Sequence, residues 1–199
     1  MTTPRLTGGQ HSEKQGSFAV WKLLIPVFVI IFLVVGGLFL VKSQLPQKVR
    51  PPGSTEVAVG ASVSDFKLKK FNGGETGIST MPGKIFLINF WASWCEACMV
   101  EMPSIVNLRK KYVGRGLEVL LMDVDENPQA AVPSILKQFG IDFPIYVDTD
   151  GQLTDLFDVR AIPFTMIMDK SRKVLLIESG ERDWNGADIA EQIDRWLAK

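Results

Sequence analysis

The chain predicts an α/β fold with a central mixed sheet flanked by helices, and three observations carry the prediction. Two short apolar runs rich in β-formers, "KIFLINF" (84–90) and "LEVLLMDV" (117–124), enclose a helical stretch, the pattern of a βαβ unit with buried parallel strands. Two later runs, "IPFTMIMD" (162–169) and "KVLLIES" (173–179), are separated only by "KSR", so they pair antiparallel. Between and after these runs, apolar residues recur at helical spacing. With 199 residues, 46% of them hydrophobic, the chain can bury one ordinary core and still carry extra segments.

From the N-terminus, residues 1–22 read as a polar tail. The stretch "LLIPVFVIIFLVVGGLFLV" (23–41) is nineteen residues without a charge. As a helix rising about 1.5 Å per residue it reaches roughly 28 Å, close to the hydrocarbon thickness, so a single transmembrane helix is expected here. The other readings are a cleaved signal peptide or a buried core helix. The run is longer than a signal core of roughly 7–15 residues, and the following "VKSQLPQKV" offers no small-x-small cleavage site, which favours an uncleaved anchor. Trp21 and Lys22 would mark one interface and Lys42 the other. Arg5, Lys14 and Lys22 on one side balance Lys42, Lys48 and Arg50 on the other, so charge does not orient the span. Residues 42–56 read as a proline-rich linker; within it, residues 43–54, "SQLPQKVRPPGS", are polar, contain Pro46, Pro51 and Pro52, and if extended could hold the next domain up to roughly 35 Å off the bilayer.

Residues 57–199 read as the folded domain. After the first predicted strand, Cys98 to Tyr112 has the spacing of a helix packed on one face, with Pro103 expected to kink it. Val132, Ile135, Leu136 and Phe139 define a second helix that Gly140 stops. "FPIYVD" (143–148) is a short strand, and a short helix around Leu153 to Phe157 follows the polar turn "DTDG". Ile189, Ile193, Trp196 and Leu197 form the apolar stripe of a last helix.

Composition removes several functions. Lys plus Arg equal Asp plus Glu at 22 each, and from Gly60 onward 20 acidic residues face 16 basic ones, so no basic footprint for nucleic acid exists. Two cysteines cannot build a disulfide framework. The single histidine, His11, lies in the tail, so neither a four-ligand zinc site within one chain nor cysteine or serine catalysis through a histidine base is available.

Both cysteines lie in "FWASWCEACMVEMP" (90–103), where a strand gives way to a helix. Cys95 would stand at the helix N-terminus, where unpaired N–H groups and the helix dipole favour a thiolate over a thiol. Cys98, one turn on and more buried, is placed to resolve a mixed disulfide formed at Cys95. A zinc half-site shared across a dimer and a structural disulfide are the alternative readings of the pair. A disulfide closing so short a loop adds little in the chain-entropy model.

Trp91-Ala92-Ser93-Trp94-Cys95-Glu96-Ala97-Cys98 resembles the active-site signature of the thioredoxin superfamily. The fuller pattern of Cys95, Cys98, Glu101 and Pro103 resembles its membrane-anchored TlpA-like and ResA-like branch. "SVSDFKL" is similar to the opening strand of that branch, "GLEVLLMDVDE" and "FGIDFPIYVDTDGQL" to its central insertion, and "FDVRAIPFTMIMD" to its cis-proline segment. The resemblance implies a thioredoxin-like fold with an N-terminal strand extension and a central insertion. It implies a cis Pro163 facing Cys95, with the backbone at Ile162 free for a substrate strand, and Trp94, Ile162 and Phe164 as substrate-contacting residues. Asn89 stands where thioredoxin has a buried aspartate, and an amide cannot take a proton at neutral pH. Glu101 matches the acidic residue that the branch places near the disulfide. It is expected to exchange the Cys98 proton with a pKa raised by partial burial, the alternative being a solvated first-turn glutamate. Met99, Met102 and Phe164 read either as a soft rim for a protein substrate or as core.

Ala97, Glu96, Ser64 and Phe164 depart from the family pattern, and Glu96 should oppose thiolate formation beside it. The resemblance implies a protein-disulfide reductase with Cys95, Cys98, Glu101 and Pro163 as its catalytic set and no cofactor. Its implied partners are protein thiols or disulfides such as an apocytochrome c or a metal-site assembly protein, with an integral-membrane thiol electron transporter as reductant. The domain is expected on the periplasmic or extracytoplasmic side. A copper-binding assembly module on the same scaffold is the alternative, since thiolates are soft ligands.

Overall fold

In the computed structural model, residues 30–33 and 57–199 are described. Residues 30–33 are helical, whereas the rest of the predicted span (23–41) and the linker (42–56) lie outside the described residues. Among the described residues no helix is long and apolar enough to cross a membrane.

Seven strands form one sheet in the order β2-β1-β5-β4-β3-β6-β7. Its centre is the predicted parallel pair, β3 (Ile85–Trp91) and β4 (Leu117–Asp123), in register from Ile85 opposite Leu117 to Trp91 opposite Asp123. β3 is buried along its whole length, as a strand covered on both faces requires. β6 (Phe164–Asp169) lies antiparallel to β3, and β7 (Val174–Ser179) antiparallel to β6. On the other side β5 (Ile145–Val147) runs parallel to β4, and β1 (Lys67–Lys70) runs antiparallel to β5. The sheet is therefore mixed, as predicted. The edge hairpin of β1 with β2 (Glu75–Gly77) was not foreseen. Its turn has Gly73 and Gly74 at φ of 90° and 83°, where a side chain would be strained.

Among the described residues of 57–199, four α-helices accompany the sheet: α1 (Glu96–Tyr112), α2 (Pro128–Phe139), α3 (Gln152–Leu156) and α4 (Ala187–Leu197). α1 starts two residues earlier than its apolar spacing implied, because Cys95 caps it. Pro103 lies inside it and leaves the carbonyl four residues back without its helical donor. α2 ends at Gly140, whose φ of 60° is the left-handed C-cap that glycine provides cheaply.

Because strand side chains alternate between faces, the sheet supports two cores. Odd positions of β3 and β4 (Ile85, Leu87, Trp91, Leu117, Val119, Leu121) pack with α1, Val132, Ile135, Trp184, Ile189 and Ile193. Even positions (Phe86, Ile88, Phe90, Leu120, Met122) pack with Leu68, Tyr146, Phe157 and Phe164. Asn89 is an odd residue. The same alternation puts its amide into the α1 side of the sheet, and that parity is what brings it to the site.

Candidate active site

The two cysteines sit where β3 hands the chain to α1. Cys95 is the N-cap of α1 and its Sγ accepts the Cys98 N–H at 3.2 Å, so the sulfur faces the unpaired donors at the helix start. The two are joined as a disulfide, with Cα atoms 5.3 Å apart. Cys95 is 7% exposed and Cys98 fully buried, so an incoming thiol or disulfide reaches Cys95 first. Trp94 just before them is 71% exposed, and Glu96 just after Cys95 is also exposed.

Glu101 is 2% exposed, which rules out the solvated alternative. It lies three residues beyond Cys98, on the same side of α1. Its Oε1 accepts from Asn89 Nδ2 at 2.8 Å. Its Oε2 accepts from the Arg182 backbone N–H at 3.2 Å and from Trp184 Nε1 at 3.3 Å. Burial raises the Glu101 pKa above the usual carboxylate range, against these three donors, which pull it down; the nearby Glu181 adds a small upward push. Asn89 also donates to Thr165 Oγ1 at 2.9 Å, across the β3–β6 register that sets the two residues opposite each other. Thus Asn89 positions the glutamate in place of taking a proton itself, and its own Oδ1 is buried without a partner.

A second carboxyl group lies at the end of β4. Asp123 is fully buried, its Oδ2 has no partner, and burial followed by the neighbouring Asp125 pushes its pKa up to about 8. Asp125, also buried, accepts from the Ser93 N–H at 2.7 Å and from Ser93 Oγ at 3.0 Å. It thereby ties down the loop two residues before Cys95, and the Val124 N–H to Trp91 carbonyl bond of 3.0 Å holds the same junction.

The Ile162–Pro163 bond is cis, as the resemblance implied. Continuing the β3–β6 register by one step from Phe90 opposite Phe164 sets Pro163 level with Trp91, at the end of β3 from which the cysteine loop departs. Ile162 is half-buried, and its backbone makes no hydrogen bond to the other described residues. The contact expected of Phe164 is corrected: the residue is 6% exposed and its ring meets Phe90 edge-on at 6.0 Å, because an even position of β6 points into the opposite core. Met102 is fully buried in the α1-side core and forms no rim either. Sequence reasoning missed Trp184, Arg182, Ser93, Asp123 and Asp125. The signal for the aspartates was polarity at the end of an otherwise apolar strand; for Trp184 and Arg182 there was none. Among the described residues no group of three or more His, Cys, Asp and Glu is arranged to hold a metal ion.

Comparison with known proteins agrees with this geometry. Residues 59–177 match the model of the AhpC/TSA family. The thiol-disulfide oxidoreductase ResA of Bacillus subtilis (strain 168) is 33% identical over 128 residues, covering 64% of this chain and 71% of that protein. ResA of Geobacillus kaustophilus (strain HTA426) is 36% identical over 126 residues, covering 63% and 72%. Among solved structures, a Chlorobium tepidum protein assigned as a thiol:disulfide interchange protein DsbE superposes with a TM-score of 0.64 at 28% identity, covering 71% of this chain and 99% of that one.

Proposed function

Since the chain belongs to the AhpC/TSA family and is a thiol-disulfide oxidoreductase of the ResA type acting on protein thiols, we propose that it works as an extracytoplasmic reductant of protein disulfides. In the forward step the Cys95 thiolate attacks one sulfur of a substrate disulfide. A mixed disulfide forms and one substrate sulfur leaves as a thiolate, to be protonated from solvent. The Cys98 thiol then gives its proton to the Glu101 carboxylate, and the resulting thiolate attacks Cys95 Sγ. This closes the Cys95–Cys98 disulfide and releases the second substrate thiolate, which takes up a proton. Two electrons have passed to the substrate, and the oxidised pair needs a dithiol donor to be recharged.

The observation that carries this reading is the asymmetry of the pair, with a capping, reachable Cys95 over a fully buried Cys98 whose next helical turn holds a buried carboxyl group. Raising the Glu101 pKa makes it a better match to a thiol proton than a solvated carboxylate would be. The backbone at Ile162, beside cis-Pro163, offers a free edge on which a substrate segment can add as a strand.

In the same proposal, residues 23–41 anchor the protein as a single span, residues 42–56 act as a stalk, and the domain faces the extracytoplasmic space. The uncharged length of the span and the prolines of the linker support this. An integral-membrane thiol transporter recharges the pair, and the disulfides reduced belong to cytochrome c maturation or metal-site assembly. The test is the reduction potential of the Cys95–Cys98 couple in the full chain, equilibrated against glutathione or dithiothreitol buffers. A value near thioredoxin's, about −270 mV, is expected; one near about −120 mV would make the protein an oxidant and overturn the proposed direction.

A further inference from the structure

A groove of about 730 Å³, open to solvent, runs beside the cysteine loop between Trp94 and the start of α2. Its chemistry is one-sided. Asp125 and Glu126 line it, whereas no lysine or arginine does. Glu126 is exposed and has no ion-pair or hydrogen-bond partner among the described residues. Asp125 accepts from Ser93 with both oxygens and lines the groove wall. Ala130 and Ala131 contribute only methyl groups on the α2 side, so that side is shallow and leaves room for a long side chain. Trp94 supplies a large exposed indole at the opposite side.

An uncovered indole beside an unpaired carboxylate fits one class of side chain better than others. A lysine or arginine lays its aliphatic stem and cation on the ring face while its head group meets the carboxylate. A glutamate or aspartate in the same place would meet two acidic residues and no donor from a cationic side chain. We propose that this groove receives the substrate chain flanking the target disulfide and selects for a lysine or arginine there. The inference rests on the disulfide-exchange reading above and adds to it a substrate class. Ser93 and Trp94, the two residues before Cys95, both line the groove, so a segment bound there lies against the loop that leads into the attacking cysteine.

The test uses the reduced full chain and two synthetic peptides with the same internal disulfide, one flanked by lysines and one by glutamates. Each rate is divided by that of the same peptide with dithiothreitol, which removes the intrinsic effect of the flanking charge on disulfide reactivity. The normalised rate for the lysine peptide should exceed that for the glutamate peptide about tenfold at low ionic strength. The gap should narrow at 0.5 M salt, where the Debye length falls to about 4 Å. It should also shrink severalfold in Glu126→Gln and in Trp94→Ala. Equal normalised rates, or a lysine preference untouched by both substitutions, would overturn the groove assignment while leaving exchange intact. Failure to reduce either peptide would instead overturn the exchange reading beneath it.

Discussion

Replacing Asp123 by asparagine should make the protein more stable as the pH rises, although the residue is buried and its change removes a charge. Asp123 lies at the end of β4 with Oδ2 unpartnered, and its carboxyl titrates near 8 in place of 3.8, through burial first and Asp125 second. A raised folded-state value means that the folded protein holds a proton that the unfolded chain has already lost. The associated stability is fully present below about pH 4 and disappears as the pH rises through about 8. Each unit of that window is worth about 1.4 kcal/mol, so about 4 kcal/mol lies between pH 5 and pH 8 as a ceiling. The asparagine keeps the shape, retains an acceptor, and puts a permanent donor where Oδ2 stood. Urea unfolding of the oxidised protein at pH 5, 7 and 8 gives the answer. The stability of Asp123→Asn relative to wild type should climb by about 2–4 kcal/mol across this range. Parallel profiles, separated by a constant offset within about 0.5 kcal/mol, would refute the protonated carboxyl.

Other consequences concern the glutamate and the core. Glu101→Gln should fold, since the amide keeps an acceptor for Trp184 and Arg182 and Asn89 can turn its unused Oδ1 toward the new NH₂ group. It should slow exchange by about 10²-fold and abolish the loss of rate that wild type shows as the pH falls through the raised Glu101 pKa, measured by stopped-flow reduction of a disulfide peptide. Trp184→Phe removes a donor that pulls the Glu101 pKa down, so that acid limb should move to higher pH while the reaction persists. In the opposite core, Phe157→Ala deletes a fully buried ring that meets Phe66 at 5.1 Å and Phe90 at 5.9 Å. It should cost about 3–5 kcal/mol in denaturant unfolding with little effect on exchange.

The β3–β4 pair and the β6–β7 hairpin were legible as short apolar runs rich in β-formers, and α1, α2 and α4 because their apolar residues recur at helical spacing over enough length to be distinctive. β2 is three residues, Glu75–Gly77, with no apolar run to announce it. Cys95 and Cys98 declared themselves because two residues of one reactive type, spaced by a helical turn at a strand end, have few other uses. Glu101 could be named from its spacing, but what surrounds it could not. Trp184 and the Arg182 N–H come from the loop before α4, more than 80 positions away, and only the closed sheet brings them together. Phe164 misled for a related reason: its place after Pro163 suggested a surface, while its even position on β6 directs the ring into the core.

The central claim is that Cys95 attacks and Cys98 resolves, and trapping tests it most directly. The reduced Cys98→Ala variant is mixed with a disulfide-bonded peptide, and intact mass with peptide mapping locates any adduct. The account predicts a near-stoichiometric mixed disulfide on Cys95 that survives for lack of a resolving thiol, and no adduct when Cys95→Ala is used with its buried Cys98. No adduct on Cys95, or an equal adduct on Cys98 in the Cys95→Ala protein, would contradict the assignment of the two sulfurs.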